Sequence, residues 1–415
     1  MDSQKEHFYK QAERLDGVAY DVRNPKMRLA VEEIESQIAC GCAERKLHKW
    51  NIGNPPFFGI MVPDDIKKSL KEIETDFAYT RAQGTPEVIE AIFQYHQRQG
   101  VLGLQREHIF GIDGVTAGME LLARGVLNNG DEVLLPSPNY PNWRVNFQLS
   151  NALSIYYKCD EPSLWYPDVQ DIRKKVTSKS KAILVINPNN PTGAVYPREI
   201  LEQIIQIARE KKLIVFSDEV YNEMLYGDAK HIPMASLADD VLIITLNGLS
   251  KNRLLPGIRS GWIAISGDTK HAAGLIDGIS LLANSKLCPN LWGQLATPIT
   301  LPRDDYLKQL ISSEGRLYEQ ITHAHKLITH IPGLSCVQPQ AGMYLYVKID
   351  QRILIPNDEE FVLDLLKSEW VHVVQSSGFD DLSQPRHFRI VCLAPVNEFD
   401  EGMARIASFI EKYHP

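Results

Sequence analysis

Residues 181–193 read KAILVINPNNPTG, an apolar run of about strand length that ends in a loop of turn formers. Three other stretches follow the same plan: DEVLLPSP at 131–138, KLIVFSDE at 212–219 and DVLIITLNG at 240–248. Short runs that are apolar on both faces suit strands buried in a parallel sheet. Helix-like segments such as PREILEQIIQIAREKK, 197–212, lie between some of them, which is the alternation of an α/β fold. Directly behind the four runs come SPNYPNW, NPNNPTG, SDEVYNE and GLSKN, which hold most of the residues whose types look chemical. Open α/β sheets bind ligands at the carboxyl ends of their strands. Four such ends would therefore deliver polar and aromatic groups to one edge.

Outward from this block the pattern changes. Residues 24–45 carry apolar positions at helical spacing and lead into the turn-rich NIGNPPFFG at 51–59. Beyond about residue 300, a long helical stretch over 311–331 precedes GMYLYVKI and HFRIVCL, which alternate like half-exposed strands. The expected division is an N-terminal arm and helix over 1–50 that belongs with the smaller domain. A large domain would follow over 51–300, and a small α+β domain over 301–415. A chain of 415 residues suits two domains better than one.

Composition sets the class. Hydrophobic residues make up 44% and charged residues 23%, ordinary for a globular protein. A net charge of −8 recommends neither nucleic acid nor an anionic membrane as partner. The six cysteines have no repeating spacing and read as reduced thiols of a cytoplasmic protein. The polar opening MDSQKEHFYKQAERLDG lacks an apolar signal-peptide core, and no run approaches the ~18 apolar residues of a membrane span. The histidines of THAHKLITH are read as surface residues, so no metal site is expected.

The chemistry centres on NGLSKNRLLPGIRSGW, 247–262. A lone lysine is usually a solvated charge. Lys251, however, follows a strand and precedes Arg259 by eight residues, with Gly257 and Gly261 flanking that arginine. One loop would thus supply a lysine nucleophile and a phosphate-binding guanidinium to the same cofactor, as pyridoxal 5′-phosphate held by Lys251 as a Schiff base would require. Asp218 ends KLIVFSD; it could cap a helix, or pair with the protonated pyridine nitrogen of that cofactor. Tyr221 would then lie near the ring's phenolic oxygen, as would the amide of Asn190 in NPNNPTG. Tyr140 is a candidate to stack on the ring. Gly114, Val115 and Thr116 sit where a turn enters a helix, a site where free N–H groups cradle phosphate. Arg389 in RHFRIV could read a substrate carboxylate, although Arg386 is a neighbour of the same type.

NIGNP, Tyr79 followed by Gly84, NPNNPTG, DEVY, the pair Ser250–Lys251 and GIRSGW occur in order. Together they resemble the class I aminotransferases of PLP fold type I, from about residue 18 to the C-terminus. YDVRNP, KWNIGNPPFFG, NGLSK, EGRLYEQ and HFRIV look most like the bacterial glutamate–pyruvate (alanine) aminotransferases. The resemblance implies a large domain with a mostly parallel central sheet flanked by helices, a smaller α+β domain and a homodimer. It makes Lys251 the cofactor lysine and proton shuttle, with Asp218, Asn190, Tyr221 and Tyr140 around the ring and Ser250 a further cofactor-binding residue. Arg259, the backbone at 114–116 and Tyr79, reaching in from the neighbouring subunit, would hold the phosphate. Gly53, Asn190 and Arg389 would contact the amino acid, and Tyr20 and Arg23 would close over it. The implied reaction is ping-pong transfer of an amino group between an L-amino acid of the alanine/glutamate type and a 2-oxo acid. A β-lyase, cyclase or oxidase outcome on the same cofactor is the alternative. Departures from the pattern are Gly248, where many relatives place a phosphate-binding serine, and Asn252, Pro256 and Met343.

Overall fold

The computed structural model describes residues 25–42, 44–379 and 386–413. Its strands, in chain order, are β1 (His48–Lys49), β2 (Ile109–Ile112), β3 (Glu132–Ser137), β4 (Leu153–Lys158), β5 (Ser180–Ile186), β6 (Ile214–Asp218), β7 (Ile243–Gly248) and β8 (Gly261–Ser266). There follow β9 (Leu334–Cys336), β10 (Tyr344–Ile349), β11 (Val371–His372), β12 (Val374–Gln375) and β13 (His387–Val391). Seven of these form one sheet in the order β2-β8-β7-β6-β5-β3-β4. All its pairings are parallel except those of β8, which runs against β7 and β2.

The four apolar runs are β3, β5, β6 and β7, and every residue of β3, β6 and β7 is buried. Helices cover both faces, which is why these strands carry no polar side. The helix Arg198–Lys211 turns Leu201, Ile204, Ile205 and Ala208 onto the sheet at intervals of three and four. Register brings Ile186 of β5 beside Asp218 of β6, and Asp218 beside Leu246 of β7. The chemistry-bearing loops therefore leave one edge together.

A separate antiparallel sheet runs β12-β13-β10-β9. Its strands are buried on both faces: β13 throughout and β10 at five of its six positions. That corrects the expectation of half-exposed strands. Leu345, Val347 and Ile390 pack into one core cluster, while Tyr346 packs with Trp165 and Phe379 in another. The helix expected over 311–331 is Arg316–Thr329, and a separate short helix, Asp305–Ile311, precedes it. The helix Pro25–Ala39 packs against Asp358–Glu369, and β1 pairs in parallel with β11. Cys40 and Cys42 are joined as a disulfide around Gly41, which corrects the reading of six reduced thiols. Among the described residues no helix is long and apolar enough to cross a membrane.

Candidate active site

A cavity of about 650 Å³ opens at the carboxyl ends of β3, β5, β6 and β7, within the range of small-molecule and cofactor sites. Gly53, Tyr140, Asn190, Asp218, Tyr221 and Arg389 line it, as do Val115, Thr116, Ser250, Lys251 and Arg259.

Lys251 stands on a single helical turn, Leu249–Asn252, that begins directly after β7. Its Nζ donates to the Gly53 carbonyl at 2.7 Å. The turn is tied down behind it. Asn252 Nδ2 and Asn247 Nδ2 both donate to Asn222 Oδ1, at 2.7 and 3.0 Å, and Tyr95 donates to the same oxygen at 3.1 Å. Buried Arg253 pairs with Glu223 at 2.6 Å. Asn222 and Glu223 directly follow Tyr221, so the turn carrying Lys251 and the loop carrying Tyr221 are locked to each other. This accounts for Asn252, which departed from the family pattern. Gly248 is also explained: a Cβ there would lie 2.7 Å from the Ser260 carbonyl of the facing chain.

Asp218 is 3% exposed, and Trp143 Nε1 donates to its carboxylate at 2.8 Å. Burial lifts its carboxyl to about 6, against the hydrogen bonds from Trp143 and Val220. A carboxylate so far from water needs a cationic partner. The protonated ring nitrogen of pyridoxal 5′-phosphate is such a partner.

Opposite this, the helix Val115–Val126 starts at the cavity with Gly114 as its N-cap, φ 79°. A Cβ on Gly114 would run into the Arg259 guanidinium. Glycine is thus what lets Arg259 lie across this helix start. Arg259 holds a left-handed backbone, φ 51°, and its guanidinium donates to the Pro256 carbonyl at 3.0 Å and to Ser250 Oγ at 3.4 Å. A guanidinium beside the unpaired N–H groups of a helix start is an anion cradle. The charges fit the nitrogen and phosphate ends of the cofactor, and both lie on one cavity.

Arg389, on β13, is 7% exposed and donates to Asn190 Oδ1 at 3.0 Å and to the Asn51 carbonyl at 2.7 Å. Its guanidinium lies over the rings of Tyr344 (4.4 Å) and Phe379 (4.7 Å). Arg386 instead donates to the carbonyls of Ile349, Asp350 and Ile353, which separates the two arginines by role. Tyr79 is not among the cavity residues and is 81% exposed. Tyr20 and Arg23 lie outside the described residues. His323 meets Asp400 and His325 the Cys336 carbonyl, and no group of residues suited to a metal occurs among the described residues.

Sequence reasoning missed Trp143, Asn222 and Tyr344. Trp143 stood in the same SPNYPNW segment as Tyr140, and Asn222 directly follows Tyr221. Tyr344 gave no signal beyond an apolar strand.

Comparison with known proteins agrees with this geometry. A family model described as aminotransferase class I and II matches residues 45–406. Glutamate-pyruvate aminotransferase of Haemophilus influenzae is 41% identical over 98% of this chain and 99% of its own length. Alanine aminotransferase of Mycobacterium bovis is 37% identical over 99% of this chain and 94% of its own. The crystal structure of an aminotransferase from Escherichia coli superposes with a TM-score of 0.93 at 40% identity, covering 98% of this chain and 99% of that one. An alanine aminotransferase from Pyrococcus furiosus gives 0.90 at 34%, covering 97% and 100%. The chain belongs to the class I and II aminotransferases, pyridoxal 5′-phosphate enzymes that move an amino group between an amino acid and a 2-oxo acid.

Proposed function

We infer that this enzyme exchanges amino groups between alanine- and glutamate-type amino acids and their 2-oxo acids, with Lys251 as the residue that holds the cofactor and carries the proton. The observation that carries this reading is one cavity lined by the Lys251 amine, the Asp218 carboxylate, and the Arg259 and Arg389 guanidiniums. Bound pyridoxal 5′-phosphate supplies an exchangeable carbonyl and an electron-poor ring that accepts the electron pair left when the α C–H bond breaks.

The chain's own residues do the rest. Asp218 keeps the ring nitrogen protonated by pairing with it. Asn190 and Tyr221 hydrogen-bond the ring's phenolic oxygen, and Tyr140 covers the ring face. Ser250, Arg259 and the N–H groups at 115–116 neutralise the phosphate. Arg389 takes the substrate carboxylate as a two-pronged pair and exchanges its Asn51 contact for it. The small Gly53 leaves room beside Lys251. Freed by the incoming amine, Lys251 Nζ would remove the α-proton and deliver it to the cofactor carbon that had been the carbonyl. Tyr20 and Arg23 complete the reading as residues that close over the substrate.

The alanine and glutamate preference rests on the relatives at 37–41% identity, all of them aminotransferases; none carries the lyase, cyclase or oxidase alternatives. The reading includes division near residues 50 and 300, a cytoplasmic location and a homodimer in which Tyr79 reaches the neighbour's phosphate. Phe77, Tyr79 and Trp292 are exposed, with Phe77 and Trp292 in edge contact, which supports a face for a second copy. The test is a half-reaction. Cofactor-loaded protein given L-alanine or L-glutamate alone is expected to release one equivalent of pyruvate or 2-oxoglutarate and lose its visible band. Release of neither 2-oxo acid would overturn the substrate assignment.

A further inference from the structure

Tyr344 has no role in the reading above, yet it sits among the reacting groups. It is the first residue of β10 in the small sheet, 3% exposed, and it lines the cavity. Its hydroxyl lies 2.6 Å from that of Tyr221, which belongs to the loop after β6 of the large sheet. The contact is held from both sides. Gly342 N donates to the Met224 carbonyl, Tyr226 N donates to the Gln340 carbonyl, and Tyr226 Oη donates to the Gly342 carbonyl at 2.7 Å. The Arg389 guanidinium covers the Tyr344 ring, and a Cβ on Gly53 would come within 2.7 Å of the Tyr344 hydroxyl. The segment 340–344 is thus stitched to 221–226, and the two phenols cannot drift apart without breaking it.

We propose that Tyr344 is a positioning residue for cofactor chemistry: its hydroxyl donates to Tyr221, which commits the Tyr221 proton to the phenolic oxygen of the bound ring. The inference rests on the placing of Tyr221 at that oxygen. Two phenols 2.6 Å apart share one hydrogen bond, so one of them must donate. Tyr344 is the better donor. Burial works to raise its phenol, but the nearby charges of Lys251 and Arg389, together with the hydrogen bond it shares with Tyr221, bring it below the ordinary value. Tyr221 is pushed up, by burial first and then by Tyr344; Arg389 opposes this and Tyr140 adds to it. With its oxygen accepting from Tyr344, Tyr221 has a single proton, free to point at the cofactor. A phenol donating to the ring oxygen weakens that oxygen's hold on the proton it shares with the Lys251 nitrogen. Losing the donation raises the pH at which that proton leaves.

The test is a pH titration of the visible absorbance of cofactor-loaded protein in four forms: parent, Tyr344→Phe, Tyr221→Phe and the double variant. Phe at 344 keeps the ring packed under Arg389, and the readout is the titration midpoint, not activity. Tyr344→Phe is expected to raise the midpoint by roughly 0.4–1 pH unit, the worth of one hydrogen bond. Tyr221→Phe should raise it further, and the double variant no further than Tyr221→Phe alone, because one residue acts through the other. If Tyr221→Phe shifts the midpoint and Tyr344→Phe does not, or if the two shifts add, the positioning role is overturned while the site reading stands. If Tyr221→Phe itself leaves the midpoint unmoved, the placing of Tyr221 falls and the inference falls with it.

Discussion

Asp218 and Arg389 are charged side chains held almost out of water, one at the end of a large-sheet strand and one in the small sheet. For Asp218 the burial has a definite sign. Its folded carboxyl titrates at about 6, above the usual carboxylate range, so the fold keeps a proton that the unfolded chain has released. In cofactor-free protein its stability contribution is therefore present at low pH and lost as pH rises from that range through about 6. Asp218→Asn should flatten this segment when thermal midpoints are compared on either side of it. Glu219, lifted by burial to about 7, titrates alongside in both proteins. In the loaded enzyme Asp218→Asn should lower kcat on the order of 10²–10³-fold, as when a preorganised electrostatic partner is removed. Arg389→Lys keeps the charge but not the fork. The KM for the amino acid should rise about tenfold or more, from loss of a charge-assisted bond of ~1.5–3 kcal/mol, with kcat changing less. These two residues were legible because type and position agreed: an acid at a strand end and an arginine in a strand-like run. Trp143 was not. Its role depends on Nε1 reaching a carboxylate 75 residues away, which no local pattern encodes.

Strands β3, β5, β6 and β7 were readable from short runs that are apolar on both faces, and their carboxyl ends carry the site. The antiparallel β8 was not read as a strand, although it controls the loop after β7. Gly248 and Gly261 face each other across that pair, and the space at Gly248 is filled by the Ser260 carbonyl. Gly248→Ser should therefore cost about 1–3 kcal/mol through overpacking. The expected readouts are a thermal midpoint lowered by a few degrees and no gain in cofactor affinity. A variant as stable as the parent would show that β8 can move away. In the small sheet, alternation in GMYLYVKI predicts one wet face, but the second face packs under Trp165 and Phe379. What covers a strand is a tertiary fact, and it is also what brings Tyr344 to Tyr221.

On the scale of the whole molecule, two sheets meet at one cavity, and the bonds between Asn190 and Arg389 and between Tyr221 and Tyr344 cross from one to the other. Tyr79 stands apart, exposed near Phe77 and Trp292. If a second copy brings Tyr79 to its neighbour's phosphate, inactive Lys251→Ala and weakened Tyr79→Ala chains should complement each other when refolded together. A mixed dimer then contains one intact site. Activity of the mixture no greater than that of the two parts would contradict a shared site. Lys251 as the residue that holds the cofactor is tested by borohydride reduction of cofactor-loaded protein followed by peptide mapping. A single phosphopyridoxyl-labelled peptide, modified at Lys251, is expected. Label on another lysine, or on none, would contradict it.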